Sequence, residues 1–172
     1  MHAQATSMPI DRHAHFQALL ETHRKIVFKV ANTYAWLPDD RADLAQDIAA
    51  QLWRAFPKYD PARTFSTWMY RIALNVAISW LRSHQHRDRH TESFEEAHAD
   101  VIGQVGTHHE TDERVRALER FIAGLEPLNR ALVLLYLEER SYREIADILG
   151  ISETNVATKI SRLKQRIRND LS

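Results

Sequence analysis

The sequence contains no cysteine, and glycine and proline are scarce, with 4 and 5 residues in a chain of 172. Without cysteine the chain cannot form the disulfide framework that holds many small secreted domains together. No uninterrupted apolar run approaches the roughly 20 residues that a helix needs to cross a bilayer. Met1–Asp11 also lacks the apolar core of a signal peptide. These absences predict a cytoplasmic protein without membrane insertion.

The composition is that of an ordinary soluble globular protein, with 44% hydrophobic and 27% charged residues. A chain of this length accommodates two modest domains better than one or three. Apolar residues recur at helical spacing over 16–34, 44–56 and 67–81, and Thr64 or Ser66 is a candidate N-cap for the third segment. No segment alternates in the manner of a strand between turns. The sequence therefore predicts an all-α fold.

The formal net charge is zero, but the charges are distributed unevenly along the chain. Residues 1–87 carry 11 Lys and Arg against 7 Asp and Glu, residues 88–113 carry 1 against 8, and residues 114–172 carry 11 against 8. The acidic stretch lacks sustained helical periodicity and contains Gly103 and Gly106. It is predicted to be a flexible linker. Its negative charge would keep it away from bound DNA, although a merely solvated tether is the simpler interpretation.

This charge pattern divides the chain into four predicted parts. They are a flexible N-terminal tail over 1–12, an N-terminal helical domain over 13–87, the acidic linker over 88–113 and a C-terminal domain over 114–172. In the last part an apolar stripe ends at Leu125, and Pro127 suits the first turn of the next helix.

The C-terminal domain carries the pattern of a helix-turn-helix. Ser141 and Glu144 have the spacing of a capping box, which predicts the start of a helix. Gly150 stands where a left-handed residue would end that helix, and Ser152 can cap a second helix shortly after it. The sequence thus predicts a helix, a tight turn at the glycine and a second helix.

The second of these helices has one apolar face and one polar face. Apolar residues recur at helical spacing from Val156 to Ile167 and are expected to face the core. Lys and Arg can neutralise phosphates or donate to guanine, while Asn and Thr can reach base edges, so the opposite face suits duplex DNA. Any surface helix has a polar outer face, but the capping box and the glycine turn favour DNA binding here. The candidate residues for duplex DNA are Ser152, Asn155, Thr158, Lys159, Arg162 and Arg166.

Aromatic and basic residues alternate over Tyr59–Arg82. Aromatic rings interleaved with cations are the means of holding unstacked single-stranded bases. The alternative is that several of these rings belong to the core, Phe65 and Trp80 in particular. Because Trp68, Tyr70 and Arg71 cannot all point the same way on one helix, we expect part of the set to be exposed.

Three motifs stand out in the sequence. They are Phe65–Asn75, Asp43–Ile48 with Leu52–Trp53, and Tyr142–Ala146 with Gly150–Ser152 and Ser161–Leu163. They resemble segments of bacterial RNA polymerase sigma factors of the extracytoplasmic-function (ECF) group. The first resembles the promoter-melting segment, the second the segment that docks on the clamp helices of core polymerase, and the third the second DNA-binding domain. The recognition helix has Ala157 where the family often has a basic residue, and Ala62–Thr64 replaces a frequent glycine. These departures leave the promoter sequence undetermined.

The resemblance implies a transcription initiation factor that binds core RNA polymerase, recognises promoter DNA as duplex and as melted single strand, and is controlled by an anti-sigma factor. The implied core-binding residues are Asp43, Gln46, Asp47 and Trp53, of which Trp53 is expected chiefly to pack. The implied pocket for a flipped base includes the Asn75 amide. The single-strand candidates are Tyr59, Arg63, Thr64, Phe65, Trp68, Tyr70, Arg71 and Asn75.

Other classes of function have weaker support in the sequence. A repressor or activator would use the N-terminal helices for sensing or dimerisation, and it does not need the aromatic and basic segment. A nucleic-acid enzyme would need a metal or an acid pair. The 10 histidines suggest a metal or pH-sensing site at His84, His86, His90 or His108–His109, but the nearby carboxylates lack ligand spacing. Since no nucleophile motif or phosphate loop is present, we expect no enzymatic activity, no cofactor and no metal.

Overall fold

The computed structural model describes residues 11–88 and 110–172. Within these ranges the chain forms α1 (Arg12–Tyr34), α2 (Pro38–Ala55), a 3₁₀ turn (Phe56–Lys58), α3 (Phe65–Asp88), α4 (Glu110–Ala123), α5 (Pro127–Leu137), α6 (Tyr142–Leu149) and α7 (Glu153–Asp170). The described ranges contain no strand, and the predicted all-α fold is confirmed. None of their helices is long and apolar enough to cross a membrane.

Two of the predicted parts fall largely beyond these ranges. Residues 1–10 of the predicted tail and 89–109 of the predicted linker lie outside the described residues. Helix α4 begins at Glu110, inside the stretch assigned to the linker, and α1 begins at Arg12, inside the stretch assigned to the tail. The first turns of these two helices are mostly polar. A prediction based on apolar periodicity therefore places the start of each helix a few residues after its actual start.

Helices α1, α2 and α3 pack against one another in the N-terminal half. Asp11 caps α1 by accepting a hydrogen bond from the His13 backbone N–H at 3.1 Å. Pro38 occupies the first turn of α2, where its missing N–H has no helical partner to lose. The helices meet through fully buried apolar residues that include Val30, Leu44, Ile48, Leu52, Met69 and Leu74.

The C-terminal half depends on a buried arginine. Arg130 on α5 is 1% exposed, and its Nε donates to the Leu125 carbonyl at 3.1 Å. Its Nη2 donates to the Ala123 carbonyl, so one side chain satisfies two carbonyls at and just beyond the end of α4. Burial lowers the pKa of Arg130, and the neighbouring Tyr34 opposes this shift. An arginine remains protonated in such a site and continues to donate.

The predicted helix-turn-helix is present in α6 and α7. Ser141 Oγ accepts from the Glu144 N–H at 3.1 Å, and a Glu144 carboxylate oxygen accepts from the Ser141 N–H at 3.3 Å. Gly150 ends α6 with a φ of 68°, in the left-handed region. Ser152 caps α7 by accepting from the Asn155 N–H at 3.1 Å.

The two halves share one continuous cluster of buried residues. Tyr34 on α1 is fully buried, and its hydroxyl donates to the Pro127 carbonyl at 2.7 Å. Burial raises the pKa of this hydroxyl above its ordinary value. At the edge of the same junction, Lys29 Nζ lies 2.5 Å from a Glu138 carboxylate oxygen.

The Gly150 turn generates a prediction of stability. A Cβ at Gly150 would meet nothing within 4 Å, but the left-handed backbone would strain any L side chain. We expect Gly150→Ala to lower the free energy of unfolding by about 1–2 kcal/mol, measured by urea denaturation. The matched control is Gly124→Ala, where the new Cβ would make an ordinary 3.6 Å contact with the Phe121 carbonyl and φ is not positive. Equal losses in the two variants would contradict the assignment of strain to Gly150.

Candidate nucleic-acid and polymerase interfaces

An aromatic cluster lies where α3 begins. Four rings, those of Phe56, Tyr59, Phe65 and Trp68, have centroids between 5.1 and 6.2 Å apart in five contacting pairs. The Tyr59 hydroxyl donates to the Arg63 carbonyl at 2.7 Å and thereby fixes the loop that precedes α3. Asp60 Oδ1 accepts from the Ala62 N–H at 2.9 Å and tightens the same loop. The loop is therefore anchored both to the rings and to itself.

The single-strand candidates do not all share one surface. Arg63, Thr64, Arg71 and Asn75 are exposed, whereas Tyr59 and Trp68 are half-buried. Phe65 is 7% exposed and packs on the His23 ring at 5.1 Å, as the core interpretation expected. Neither its ring nor that of Tyr70, at 1% exposure, is open to a base in this arrangement.

Tyr70 is covered by the C-terminal half. The Arg140 guanidinium carbon lies 5.1 Å from the centre of the Tyr70 ring, and Arg140 Nη1 donates to Ser66 Oγ at 3.2 Å. Burial raises the pKa of the Tyr70 hydroxyl, and the nearby Glu138 carboxylate acts in the same direction. The Arg63 guanidinium also lies 3.9 Å from the Asp147 carboxylate. Sequence reasoning gave no sign of these contacts.

An acidic groove of about 570 Å³ lies between α2 and α3. The predicted core-binding residues Asp43, Gln46 and Asp47 line it together, and the sequence did not assign the other lining residues to core binding. These are Asp40, Val76, Ser79, Trp80, Ser83 and His84. The rings of Trp80 and His84 are stacked with centroids 3.9 Å apart. The sequence could have indicated this contact, because residues four positions apart on one helix lie next to each other.

Trp53 lies apart from the lining of the acidic groove. Its ring packs on Phe16 and on His13, each at a centroid distance of 5.2 Å, and 40% of the residue remains exposed. The expected packing role is thus visible. The structure brings three of the four predicted core-binding residues together.

Helix α7 presents its predicted polar face outward. Ser152, Asn155, Thr158, Arg162 and Arg166 are exposed and Lys159 is partly exposed, while the apolar residues Val156, Ile160 and Leu163 are buried. The Arg166 guanidinium carbon lies 5.6 Å from the centre of the Phe121 ring. Lys164 is a further cation of this helix that was not among the candidate contacts, and its Nζ lies 4.5 Å from the centre of the Tyr136 ring. A hydrogen bond with Tyr136 on α5 raises the pKa of the Lys164 side chain.

The histidines can be assessed only in part. Among the described residues, no group of three or more His, Asp or Glu side chains could hold a metal ion. The side chains of His86, His90 and His108–His109 lie outside the described residues.

Comparison with known proteins identifies the family. The model of Sigma-70 region 2 matches residues 19–87, and the model of Sigma-70, region 4 matches residues 115–167. The chain is 30% identical over 139 residues to the ECF RNA polymerase sigma-E factor of Escherichia coli K12, an alignment that covers 76% of this chain and 73% of that protein. The chain belongs to the ECF group of RNA polymerase sigma factors. Region 2 thus spans most of α1 through α3 of this sigma factor, and region 4 spans most of α4 through α7.

Two further comparisons show the extent of the likeness. The chain is 29% identical over 133 residues to the probable RNA polymerase sigma factor RfaY of Xanthomonas campestris, covering 75% of this chain but only 33% of that protein's length. The sigma factor RpoE of Bartonella quintana, solved in complex with the anti-sigma factor NepR, has the same fold with a TM-score of 0.58. That similarity covers 94% of this sigma factor and 96% of the solved chain at 18% identity.

Proposed function

We propose that this sigma factor binds core RNA polymerase, directs it to specific promoters and melts the DNA there to start transcription. The observation that carries this proposal is the anchored aromatic loop, with Arg63 exposed in the loop and Arg71 and Asn75 exposed on the helix that follows it. A regulator that binds only duplex DNA has no use for such a surface. Tyr59 and Trp68 offer partly exposed rings for stacking, and the two arginines offer cations for the phosphates of one strand.

Promoter melting by this surface requires no covalent chemistry. Extruding a base costs a few kcal/mol, and stacking of a captured base on an aromatic ring contributes about 1–3 kcal/mol. In the proposed complex, the Asn75 amide donates to or accepts from the edge of a flipped base, since its side chain is exposed on α3. We infer that the chain is not an enzyme and that polymerase performs the catalysis.

Helix α7 is proposed to read the upstream promoter element as duplex. Its capped N-terminus presents Ser152 and Asn155 toward the DNA, and Arg162 and Arg166 follow at helical spacing on the exposed face. Arginines at these positions can contact phosphates or guanine edges. Because few cations are involved, we expect the isolated interaction to be weak and sensitive to salt.

The acidic groove is proposed to dock on a basic segment of core polymerase. Asp43, Gln46 and Asp47 are exposed along one side of α2, and Asp40 extends the acidic surface. Carboxylates steer and orient a cationic partner. We also infer control by an anti-sigma factor, because RpoE of B. quintana, which has the same fold, forms a complex with the anti-sigma factor NepR. A cytoplasmic location is inferred as well, because polymerase and promoters are found there.

The direct test is reconstitution of holoenzyme. Purified chain is added to bacterial core polymerase with a library of genomic fragments, transcripts are sequenced, and unpaired thymines on an active fragment are detected with permanganate. We expect specific initiation and reactive thymines just upstream of the start. Absence of a complex with core, or of any reactive thymine, would refute the proposal.

Asn75→Ala is expected to reduce promoter opening about tenfold, equivalent to roughly 1.4 kcal/mol for the loss of one hydrogen-bonding group. Open complexes are measured by permanganate reactivity on an active fragment, and core affinity is expected to be unchanged. The matched control is Gln85→Ala, which removes another exposed amide from α3. Equal opening by the two variants would remove Asn75 from the proposed pocket.

The double variant Asp43→Asn, Asp47→Asn is expected to bind core polymerase about tenfold more weakly, because two carboxylates of the acidic groove are neutralised. Affinity is measured by titration of labelled core. Asp39→Asn is the control, since Asp39 is exposed on α2 but is not part of the groove lining. An equal loss with Asp39→Asn would indicate a general charge effect.

Arg162→Ala is expected to weaken holoenzyme binding to a closed promoter and to reduce the slope of log affinity against log salt by about 1, because one phosphate contact is lost. Arg24→Ala serves as control, since Arg24 is exposed on α1 and pairs with Glu21 at 3.3 Å. A slope unchanged by Arg162→Ala would exclude a phosphate contact at this position.

A further inference from the structure

His84 lies in the acidic groove that is proposed to dock on core polymerase. It is half-buried on α3 and lines the groove together with Trp80, across from the aspartates of α2. The sequence singled out this histidine as a candidate for pH sensing, and the proposed function gives it no role. A side chain that can change its charge is therefore part of a surface whose proposed role depends on charge.

Two contacts hold the His84 ring in place. The ring stacks on that of Trp80, with centroids 3.9 Å apart and an angle of 23° between the ring planes. Its Nδ1 lies 3.1 Å from the Trp80 carbonyl oxygen. Because a carbonyl oxygen can only accept a hydrogen bond, Nδ1 carries a hydrogen and donates it. Nε2 is therefore the nitrogen at which the neutral ring can gain a proton.

The other charges of the acidic groove are all negative. Among the described residues that line the groove, the charged or titratable side chains besides His84 are Asp40, Asp43 and Asp47, and all three belong to α2. The neutral side chains that also line it are Gln46, Val76, Ser79, Trp80 and Ser83. Three ionised aspartates give a formal charge of −3, and a protonated His84 reduces it to −2.

We infer that His84 is a further residue of the core-docking site, and that the acidic groove takes its basic partner only while this imidazole is neutral. The inference rests on the proposed docking of a basic segment of core polymerase in the groove. It adds a condition to that docking, which is set by a single proton.

A charged His84 opposes docking in two ways. It repels the cations of a basic segment at a range too short for salt to screen fully. It also offers the aspartates a cation from within the chain, so a partner gains less by approaching them. The face of the Trp80 indole attracts cations, and the free chain can therefore accommodate the charged ring. Protonation and docking thus compete, and each weakens the other by the same factor.

The pH dependence of core binding tests this inference. Histidine is the side chain that ordinarily changes its charge between about pH 5 and 8. The affinity for labelled core polymerase is measured at pH 8 and at pH 6 at constant ionic strength. We expect the ratio of the two affinities to be about threefold larger for the natural chain than for His84→Gln. The matched control is His23→Gln, which removes a half-buried histidine outside the groove and should keep the natural ratio.

A permanent charge tests the same point without a change of pH. His84→Lys is expected to bind core polymerase about threefold more weakly than His84→Gln at both pH values, because the lysine ammonium reproduces the charge of the protonated imidazole. Equal affinity ratios for the natural chain and His84→Gln would overturn the inference. Equal core affinities of the glutamine and lysine variants would do the same.

The natural chain offers a readout that depends on no substitution. The C2 hydrogen of a histidine exchanges with deuterium at a rate that follows the charge of the ring, and tandem mass spectrometry distinguishes His84 from the other histidines even in holoenzyme. We expect the midpoint of the His84 exchange profile to move to lower pH by about 0.5 unit when core is bound, which is the logarithm of the threefold competition. Slower exchange with an unmoved midpoint would show mere coverage of the ring and would contradict the inference.

The inference and the proposed function fail in different ways. Holoenzyme that forms and opens promoters, with no contribution of His84 to the pH dependence of core binding, would overturn the inference alone. A chain that binds core polymerase at neither pH would instead refute the proposed function.

Discussion

Arg130 is the side chain on which the C-terminal half and its junction with the N-terminal half both depend. The seven α-helices of residues 11–88 and 110–172 leave many terminal carbonyls without helical partners, and each buried one needs a donor. Arg130 supplies two donors at the end of α4 and faces the Tyr34 ring at 6.0 Å. Tyr34 in turn donates to the Pro127 carbonyl at the start of α5. One cation thus connects the end of α4 to the junction through which α5 meets α1.

Local chemistry made most of the helix boundaries predictable. The capping box at Ser141 and the left-handed Gly150 are determined by residues within a few positions of each other, and the structure confirms both. The start of α4 could not be predicted in the same way, because its first turn is polar and contains no apolar periodicity. The junction through Tyr34 and Pro127 was also beyond prediction, since the two residues are 93 positions apart and no local pattern encodes their meeting.

The candidate DNA and polymerase interfaces also contain some features that local sequence predicts and others that depend on contacts between distant residues. Helical spacing required that Trp68, Tyr70 and Arg71 point in different directions, and the structure leaves Arg71 exposed while Tyr70 is buried. Arg140 lies over the Tyr70 ring and also bonds to Ser66 across 74 positions of sequence. In the acidic groove, by contrast, helical spacing alone predicted that Asp43, Gln46 and Asp47 share one side of α2. The residues that α3 contributes could not be predicted in this way, because they depend on how α3 packs against α2. The assignment of these residues to DNA and polymerase remains a prediction.

A chain with no net charge can still bind a polyanion, because charge acts over short distances in salt. At physiological ionic strength the screening length is about 8 Å, so each surface is governed by its own neighbours. Carboxylates concentrate in the acidic groove on α2, and cations lie along α7. The two surfaces therefore suit partners of opposite charge within one protein. Neither surface needs high affinity when polymerase holds both DNA contacts on the same promoter, because the second contact then forms at a high effective concentration.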